Sequence, residues 1–285
     1  MYSSVVLFVC NIVFNLMILF GLIPGVELSP KTLAMATIIS QFPAILILIY
    51  HLKKEEYALT DYFTIKKEAK KESLMILKRV LPLSLEPISF NLKDLFIIAF
   101  IGNISSIAIA SYTYSKNILI FLTTVLAGAL GVTVQIFSSY SIGGKNYPQA
   151  DLYMKKSINY YIPIVFFTIL VVYIFSDLVF SIFTFNEEVL LFTGIIIPYF
   201  IFSETFQSVS LIISPTLRGV GDPKLISILS ISSNWIFGVL SSFVFAFYFK
   251  MGLSGILLGI LLDEIFRAGC NYVLWKKWIN SKSVK

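Results

Sequence analysis

The sequence predicts an all-α, polytopic membrane protein with about eight transmembrane helices. Three observations carry that prediction. Of 285 residues, 57% are hydrophobic and only 13% charged, whereas a soluble domain carries roughly 25% charged residues. The apolar residues gather into eight runs, 4–23, 32–51, 81–101, 107–140, 158–182, 189–215, 225–248 and 252–275, each near or above the roughly 20 residues that cross a bilayer. Turn chemistry stands between runs: Gly21 to Ser29 with Pro24, Gly143-Gly144-Lys145-Asn146, and Gly219-Val220-Gly221-Asp222-Pro223.

Taken in order, runs 4–23 and 32–51 form a first pair. Met1 stands at the edge of the first run without a basic n-region or a small-residue cleavage site, so a secretory signal peptide is not expected. A basic stretch, 52–80, follows. Its segment KKEAKKESLMILKRV, 66–80, puts mixed charges before an apolar patch, the pattern of an amphipathic helix lying on the inner leaflet. The third run reads LPLSLEPISFNLKDLFIIAFIG with its flanks and keeps Glu86, Lys93 and Asp94, although a charge near the bilayer centre costs about 2.5–3.5 kcal/mol on insertion scales. Run 107–140 would reach about 51 Å if helical throughout. It contains no turn signal before Ile142-Gly143-Gly144, so it is expected to be one helix protruding from the membrane, with Ala127, Gly128, Ala129 and Gly131 suited to close packing. The last four runs complete the set. Between 189–215 and 225–248, Gly219 or Gly221 is expected to end the helix in a left-handed conformation, and Pro223 blocks its continuation.

The basic residues set the topology. Seventeen of the 22, from Lys53 to Lys285, fall on one set of flanks, Lys31 and Lys250 on the other, and Lys93, Lys116 and Arg267 inside runs. The positive-inside bias then places both termini in the cytoplasm of a multi-pass protein of the plasma membrane. Contact with anionic membrane lipid accounts for the net charge of +6, and no nucleic-acid partner is implied. Cys10 and Cys270 lie in apolar runs and read as core thiols. A single histidine, His51, excludes a multi-histidine metal site, and a membrane-embedded enzyme lacks a nucleophile–base pair or ligand cluster.

The two ends of the chain look alike. Residues 11–54 and 234–277 each open on an Asn, cross, turn at a Leu-Ser, cross again and end in a lysine pair, as two copies of a helical hairpin would.

That arrangement, with three motifs, resembles the multidrug and toxic compound extrusion (MATE) family. PTLRGVGDPK, 215–224, is similar to the family's Leu-Arg-Gly-x-Gly-Asp signature. IGNISSIAIASYTYSKNI, 101–118, is similar to its turn between seventh and eighth helices. SSYSIGGKNYPQA, 138–150, is similar to a Gly-rich turn. The resemblance covers the whole chain as helices five to twelve of a two-lobe, twelve-helix transporter. It implies that 1–51 are the last two helices of the N-terminal lobe, 52–80 a cytoplasmic linker, 81–278 a six-helix C-terminal lobe and 279–285 a cytoplasmic tail. It also implies export of organic, often cationic compounds, driven by inward Na⁺ or H⁺ as coupling ion with no other cofactor. The family's first four helices have no counterpart here, so a complete transporter is expected to need them, and a fragment of a longer protein is expected.

Glu86 and Lys93 are seven residues apart and share a helix face about 10.5 Å apart along the axis, too far for a simple pair. Asp94 is turned about 100° from Lys93. Each is expected to meet a partner on another helix or a wet cavity. The resemblance places a coupling carboxylate on this helix nearest Glu86 or Asn91, with Lys93 and Asp94 beside it. In PYFIFSETFQSVSLIISPTLRG, 198–219, Glu204 stands near mid-span with Gln207 and Ser208 on its own face, and the family's tenth helix has an acid three residues before a Gln. A carboxyl isolated among apolar neighbours can exchange protons with its surroundings. Glu86, Asp94 and Glu204 are thus the ion- or proton-coupling candidates, with Asn91, Lys93 and Gln207 as supporting polar groups. Asp263 and Arg267, at i and i+4 in LLDEIFRAGC, read as a structural ion pair. Tyr112, Tyr114, Tyr199 and Phe200 could offer rings to a cation.

Two other readings compete. A lipid-linked oligosaccharide flippase of the related superfamily would favour a cavity with several arginines, and only Arg267 lies inside a run. A truncated, non-transporting fragment is the other.

Overall fold

A computed structural model describes residues 2–54, 67–221 and 223–283. Nine helices occur among them: α1 (Tyr2–Leu19), α2 (Pro30–Lys54), α3 (Lys67–Gly102), α4 (Ser106–Gly143), α5 (Tyr147–Ile174), α6 (Ser176–Phe180), α7 (Glu187–Val220), α8 (Pro223–Tyr248) and α9 (Gly252–Ser283). The protein is an all-helical membrane protein. Five helices, α2, α4, α5, α7 and α8, are long and apolar enough to cross a membrane. The apolar part of α1 is shorter, and α3 and α9 carry the charges already noted. Large apolar side chains such as Phe121, Ile164, Phe167 and Ile236 face outward, as lipid rather than water requires.

The chain divides into two units, Met1–Met75 and Ile76–Lys285. In the first, α1 packs on α2, joined by Asn11 Nδ2 donating to Ser40 Oγ at 3.3 Å and Asn15 Nδ2 to Asn11 Oδ1 at 3.0 Å. In the second, α7 is the central helix, packed against α9, α4 and α5. Its core contains Ile196, Ile197, Ile212 and Ile213, all fully buried.

Several local expectations change. The stretch 66–80 does not form a separate interfacial helix: from Lys67 onward it runs unbroken into the third span, because no Gly, Asn or other helix stop separates its charges from the apolar run. The part of the basic stretch between 55 and 66 lies outside the described residues, as do Asp222 and the last two residues of the tail. Helix α5 starts at Tyr147, well before its apolar run, because Asn146 Oδ1 accepts from the Gln149 amide and Pro148 occupies the first turn. It stops at Ile174, inside the run. Helix α7 continues through Gly219 to Val220, and neither Gly219 nor Gly221 is left-handed. Gly221 is required for space: a Cβ there would stand 2.8 Å from the Leu217 carbonyl oxygen, to which its own N–H donates at 2.8 Å. Cys10 and Cys270 are free and only half-buried.

Run 107–140 is one helix, and it carries a π-helical turn at Ile120–Thr124. Helix α8 carries two more, at Asn234–Leu240 and Val244–Tyr248. Such turns widen the helix and turn carbonyls away from its own ladder. The carbonyl of Thr123 is taken up by the Tyr161 hydroxyl at 2.6 Å.

Helix α7 has a complementary device. Pro215 has no N–H, so the Leu211 carbonyl lacks its usual helical donor. That carbonyl faces Gly131 on α4, where no larger residue would fit. Ala127 is also buried, whereas Gly128 has no neighbour at its Cβ position and Ala129 is exposed.

Candidate functional site

The charges of α3 each reach a different helix. Glu86 Oε1 accepts from Arg218 Nη2 at 2.6 Å, and Ser227 Oγ lies 3.3 Å from Glu86 Oε2. Lys93 Nζ binds Asp263 Oδ2 at 2.7 Å and lies 3.9 Å from Glu264 Oε1. Asp94 pairs with Lys116 of α4 at 2.6 Å. Seven-residue spacing puts Glu86 and Lys93 on one face, and the two find their counter-charges on α7 and α9 rather than on each other.

The Lys93 contact belongs to a buried network. Asp263 Oδ2 also accepts from Arg267 Nη2 at 2.5 Å, and Ser233 Oγ donates to Asp263 Oδ1 at 2.5 Å. Arg267 Nη2 donates to Asn234 Oδ1 at 2.8 Å and lies 3.5 Å from Glu264 Oε1. Two cations and two carboxylates balance, which is the condition for keeping such charges away from water. Gly238 makes the room, since a Cβ there would lie 2.8 Å from Lys93 Cδ.

Glu204 is different. It is 5% exposed and has no basic partner within ion-pair distance among the described residues. Its Oε2 lies 3.0 Å from both Thr123 Oγ1 and Thr124 Oγ1. With its amide nitrogen turned toward the carboxyl, Gln207 lies 3.1 and 3.3 Å from the two Glu204 oxygens. The two threonines belong to the π-turn of α4, so the irregular turn presents both hydroxyls to one carboxyl. Thr123 Oγ1 also lies 2.7 Å from the Leu119 carbonyl. A hydroxyl has one proton. When Thr123 gives it to Leu119, a protonated Glu204 can donate to Thr123; when Glu204 is charged, Thr123 can turn its proton to the carboxylate. The arrangement accommodates both protonation states without displacing a heavy atom.

A cavity of about 30 Å³ lies beside Glu204, bordered also by Asp94, Lys116, Tyr112 and Glu264. That is enough for a water or two. A larger cavity of about 390 Å³ is bordered by Glu86, Asn91, Arg218 and Arg267. Phe90 and Gln207 border both. The Phe90 ring centre lies 4.4 Å from Lys93 Nζ, 6.0 Å from Lys116 Nζ and 5.9 Å from Arg267 Cζ. Of the aromatics proposed for a cation, Tyr112 lies near Lys116 and against Phe200, 5.8 Å between ring centres, while Tyr114 stacks on Phe183.

The structure thus brings Glu204, Asp94 and Gln207 to one small cavity, and Glu86 and Asn91 to the larger one. Sequence reasoning missed Phe90, Thr123 and Thr124. The paired threonines were visible as the one polar doublet within the apolar stretch 117–137. Nothing in a linear pattern singles out Phe90 among 26 phenylalanines.

The MatE family model matches residues 82–244. The chain is 26% identical over 284 residues to an uncharacterized transporter, YisQ, of Bacillus subtilis, covering 98% of this chain and 62% of that one. It is 27% identical over 285 residues to the probable multidrug resistance protein YoeA of the same organism, covering 97% and 61%. Its fold is similar to that of the Vibrio cholerae MATE transporter VcmN in its bent form, with a TM-score of 0.76, 15% identity, and 99% and 63% of the two chains covered. The chain spans about three fifths of the length of the relatives it matches.

Proposed function

Because this chain belongs to the MatE family, a family of transporters and not of enzymes, we propose that at its relatives' full length the protein is a secondary exporter. It moves organic compounds, cationic ones on the family resemblance, out across the plasma membrane in exchange for inward H⁺ or Na⁺. Both termini of the present chain are assigned to the cytoplasm. A reporter fused after Lys285 should read as cytoplasmic, and an external reading would reverse the topology.

The observation that carries the proposal is the environment of Glu204: a buried carboxyl without an ion-pair partner among the described residues, with two hydroxyls and an amide that serve either protonation state, beside a space of water size. Binding a proton or a cation there neutralises a charge that is otherwise costly to bury. Glu86 and Asp94 have partners already, Arg218 and Lys116. Their part in coupling would be to exchange those partners as the unit changes shape, with Asn91, Lys93 and Gln207 holding the surrounding polar lattice.

Glu204→Gln keeps the shape and the hydrogen bonds but cannot titrate. It is expected to leave abundance in the membrane near wild type and to abolish dye efflux driven by an imposed pH or Na⁺ gradient, while Glu204→Asp retains part of it. The assay is made in the protein at its relatives' full length and normalised to protein in the membrane. Unchanged efflux by Glu204→Gln would remove this residue from the mechanism.

A further inference from the structure

We propose that the groove between α8 and α9 is a binding site for one anionic phospholipid, with an acyl chain lying along the groove and the phosphate on Lys277. Two adjoining spaces of about 530 and 270 Å³ make up the groove, and Leu225 and Leu274 border both. Leu225 and Leu229, one turn apart, form its α8 side. On α9, Ile265, Gly269, Val273 and Lys277 follow one another at four-residue spacing along one flank of the helix, and all four are exposed. From Ile265 to Lys277 this flank runs about 18 Å, somewhat more than half of a hydrocarbon core of about 30 Å. That is the depth of one leaflet, and so the reach of one acyl chain.

The groove exists because the two helices part toward Lys277. At their other ends Gly255 and Gly259 bring α9 into backbone contact with α8 at Phe245 and Ser242. Beyond Asp263 the contact is lost: Gly269 has no atom within 4 Å of where its Cβ would stand. A protein interior would close such a gap with side chains. Here the gap opens on the outer face of a membrane protein, where acyl chains as apolar as leucine fill it.

Lys277 sets the headgroup. It borders the smaller space beside Trp278 and the end of α7 at Leu217 and Gly221. Its neighbour Lys276 is engaged by Asp151 at 2.9 Å, whereas Lys277 is exposed and makes no ion pair among the described residues. No acidic side chain among the described residues borders either space. The groove is therefore apolar along its length and cationic at one end, the complement of a phospholipid with a net negative headgroup. Trp278, stacked on Trp275 at 5.8 Å between ring centres, adds an amphipathic ring of the kind that sits at headgroup level. One basic residue at a membrane surface favours an anionic headgroup by a factor of about five.

Equilibrium lipid binding tests the site without a gradient, a cargo or any premise about which side of the membrane Lys277 faces. The 285-residue chain, stripped of lipid in dodecyl maltoside micelles, is titrated with phosphatidylglycerol and with phosphatidylcholine of the same acyl chains. Bound lipid is counted by native mass spectrometry. The first phosphatidylglycerol is expected to bind about fivefold more tightly than the first phosphatidylcholine. Lys277→Gln should abolish that preference. Gly269→Phe, which puts a ring into the groove where the helix has room for it, should abolish binding of either lipid at this site. Phosphatidylglycerol should also raise the unfolding midpoint of the wild type and not that of Gly269→Phe. The lipid-free midpoint of Gly269→Phe reports its folding, and if it does not fold, Lys277→Gln decides the case. Equal affinity for the two lipids, a preference that survives Lys277→Gln, or phosphatidylglycerol binding unchanged in a folded Gly269→Phe would overturn the site. A dimer that Gly269→Phe dissociates and phosphatidylglycerol does not would assign the groove to a second copy of the chain and overturn the lipid.

Discussion

Helix α8 has two seams built on opposite principles. Toward α9 it is closed by glycines. A Cβ on Gly255 would lie 2.6 Å from the Phe245 carbonyl carbon and 2.7 Å from the Ala246 nitrogen, and one on Gly259 would lie 2.5 Å from the Ser242 nitrogen. Ser242 Oγ donates to the Ile256 carbonyl at 3.0 Å across that seam. Toward α3 the same helix is spanned by large side chains. Phe96 meets Trp235 at 5.5 Å between ring centres, and Phe100 meets Phe243 and Phe247 at 5.8 Å. Helix α3 is tied further by the ion pairs of Glu86, Lys93 and Asp94 and by hydrogen bonds from Ser227 to Glu86 and from Asn234 to Ser89. Backbone-to-backbone contact leaves no space and few alternatives. Side-chain bridging leaves both cavities along α3 and contacts that can be exchanged one for another. The difference teaches where to look for movement: α8 and α9 are a rigid pair, and α3 is the element with interchangeable partners.

The comparison can be broken first at Asp263, which serves Lys93 and Arg267 together. Asp263→Ala leaves two buried cations facing one carboxylate. It is expected to cost about 3–5 kcal/mol, measured as the unfolding free energy in detergent micelles. Adding Lys93→Met should recover a large part of that loss, because the surplus charge goes with it. A double variant no more stable than the single one would show that the network is not held by charge balance.

The glycine seam should respond next. Gly259→Leu pushes a side chain into the Ser242 backbone and is expected to cost about 1–3 kcal/mol. Removing the Ser242 hydroxyl, the nearest obstacle, should not rescue it, because the Ser242 main-chain nitrogen lies 2.5 Å from the same point. Rescue by Ser242→Gly alone would mean that the seam is set by the serine side chain instead. The smallest effect is expected at Glu86→Gln. Arg218 is 36% exposed in its side chain, and a half-exposed pair is worth about 0–1 kcal/mol. The same unfolding measurement should barely move, and a loss as large as that of Asp263→Ala would place Glu86 in the rigid class.

These two seams also separate what the sequence could say from what it could not. The helices were legible because lipid demands runs of apolar residues, and run 107–140 was read as one helix for lack of a turn signal. The i, i+4 spacing of Asp263 and Arg267 is a local fact, and the two meet at 2.5 Å. The partner of Lys93 lies 170 positions away, beyond the reach of any spacing rule. The π-turn that presents Thr123 and Thr124 to Glu204 has no Gly or Pro to announce it. It arises from tertiary demand, the Tyr161 hydroxyl and the Glu204 carboxyl each drawing on the same turn. The end of α7 was misjudged for a related reason, since Gly221 serves close approach to Leu217 and not a left-handed turn.

Phe90 has a further consequence. One ring borders a space fit for a water or two and another more than ten times larger. On the proposed exchanger reading the two spaces would hold ion and cargo in turn, and Phe90, with Gln207, forms the wall between them. Phe90→Ala would join the compartments. In the protein at its relatives' full length, the expected result is slippage: protons or Na⁺ running down their gradient without cargo, seen as faster dissipation of an imposed gradient in cargo-free vesicles. A wild-type dissipation rate would show that the ring is packing and not a partition.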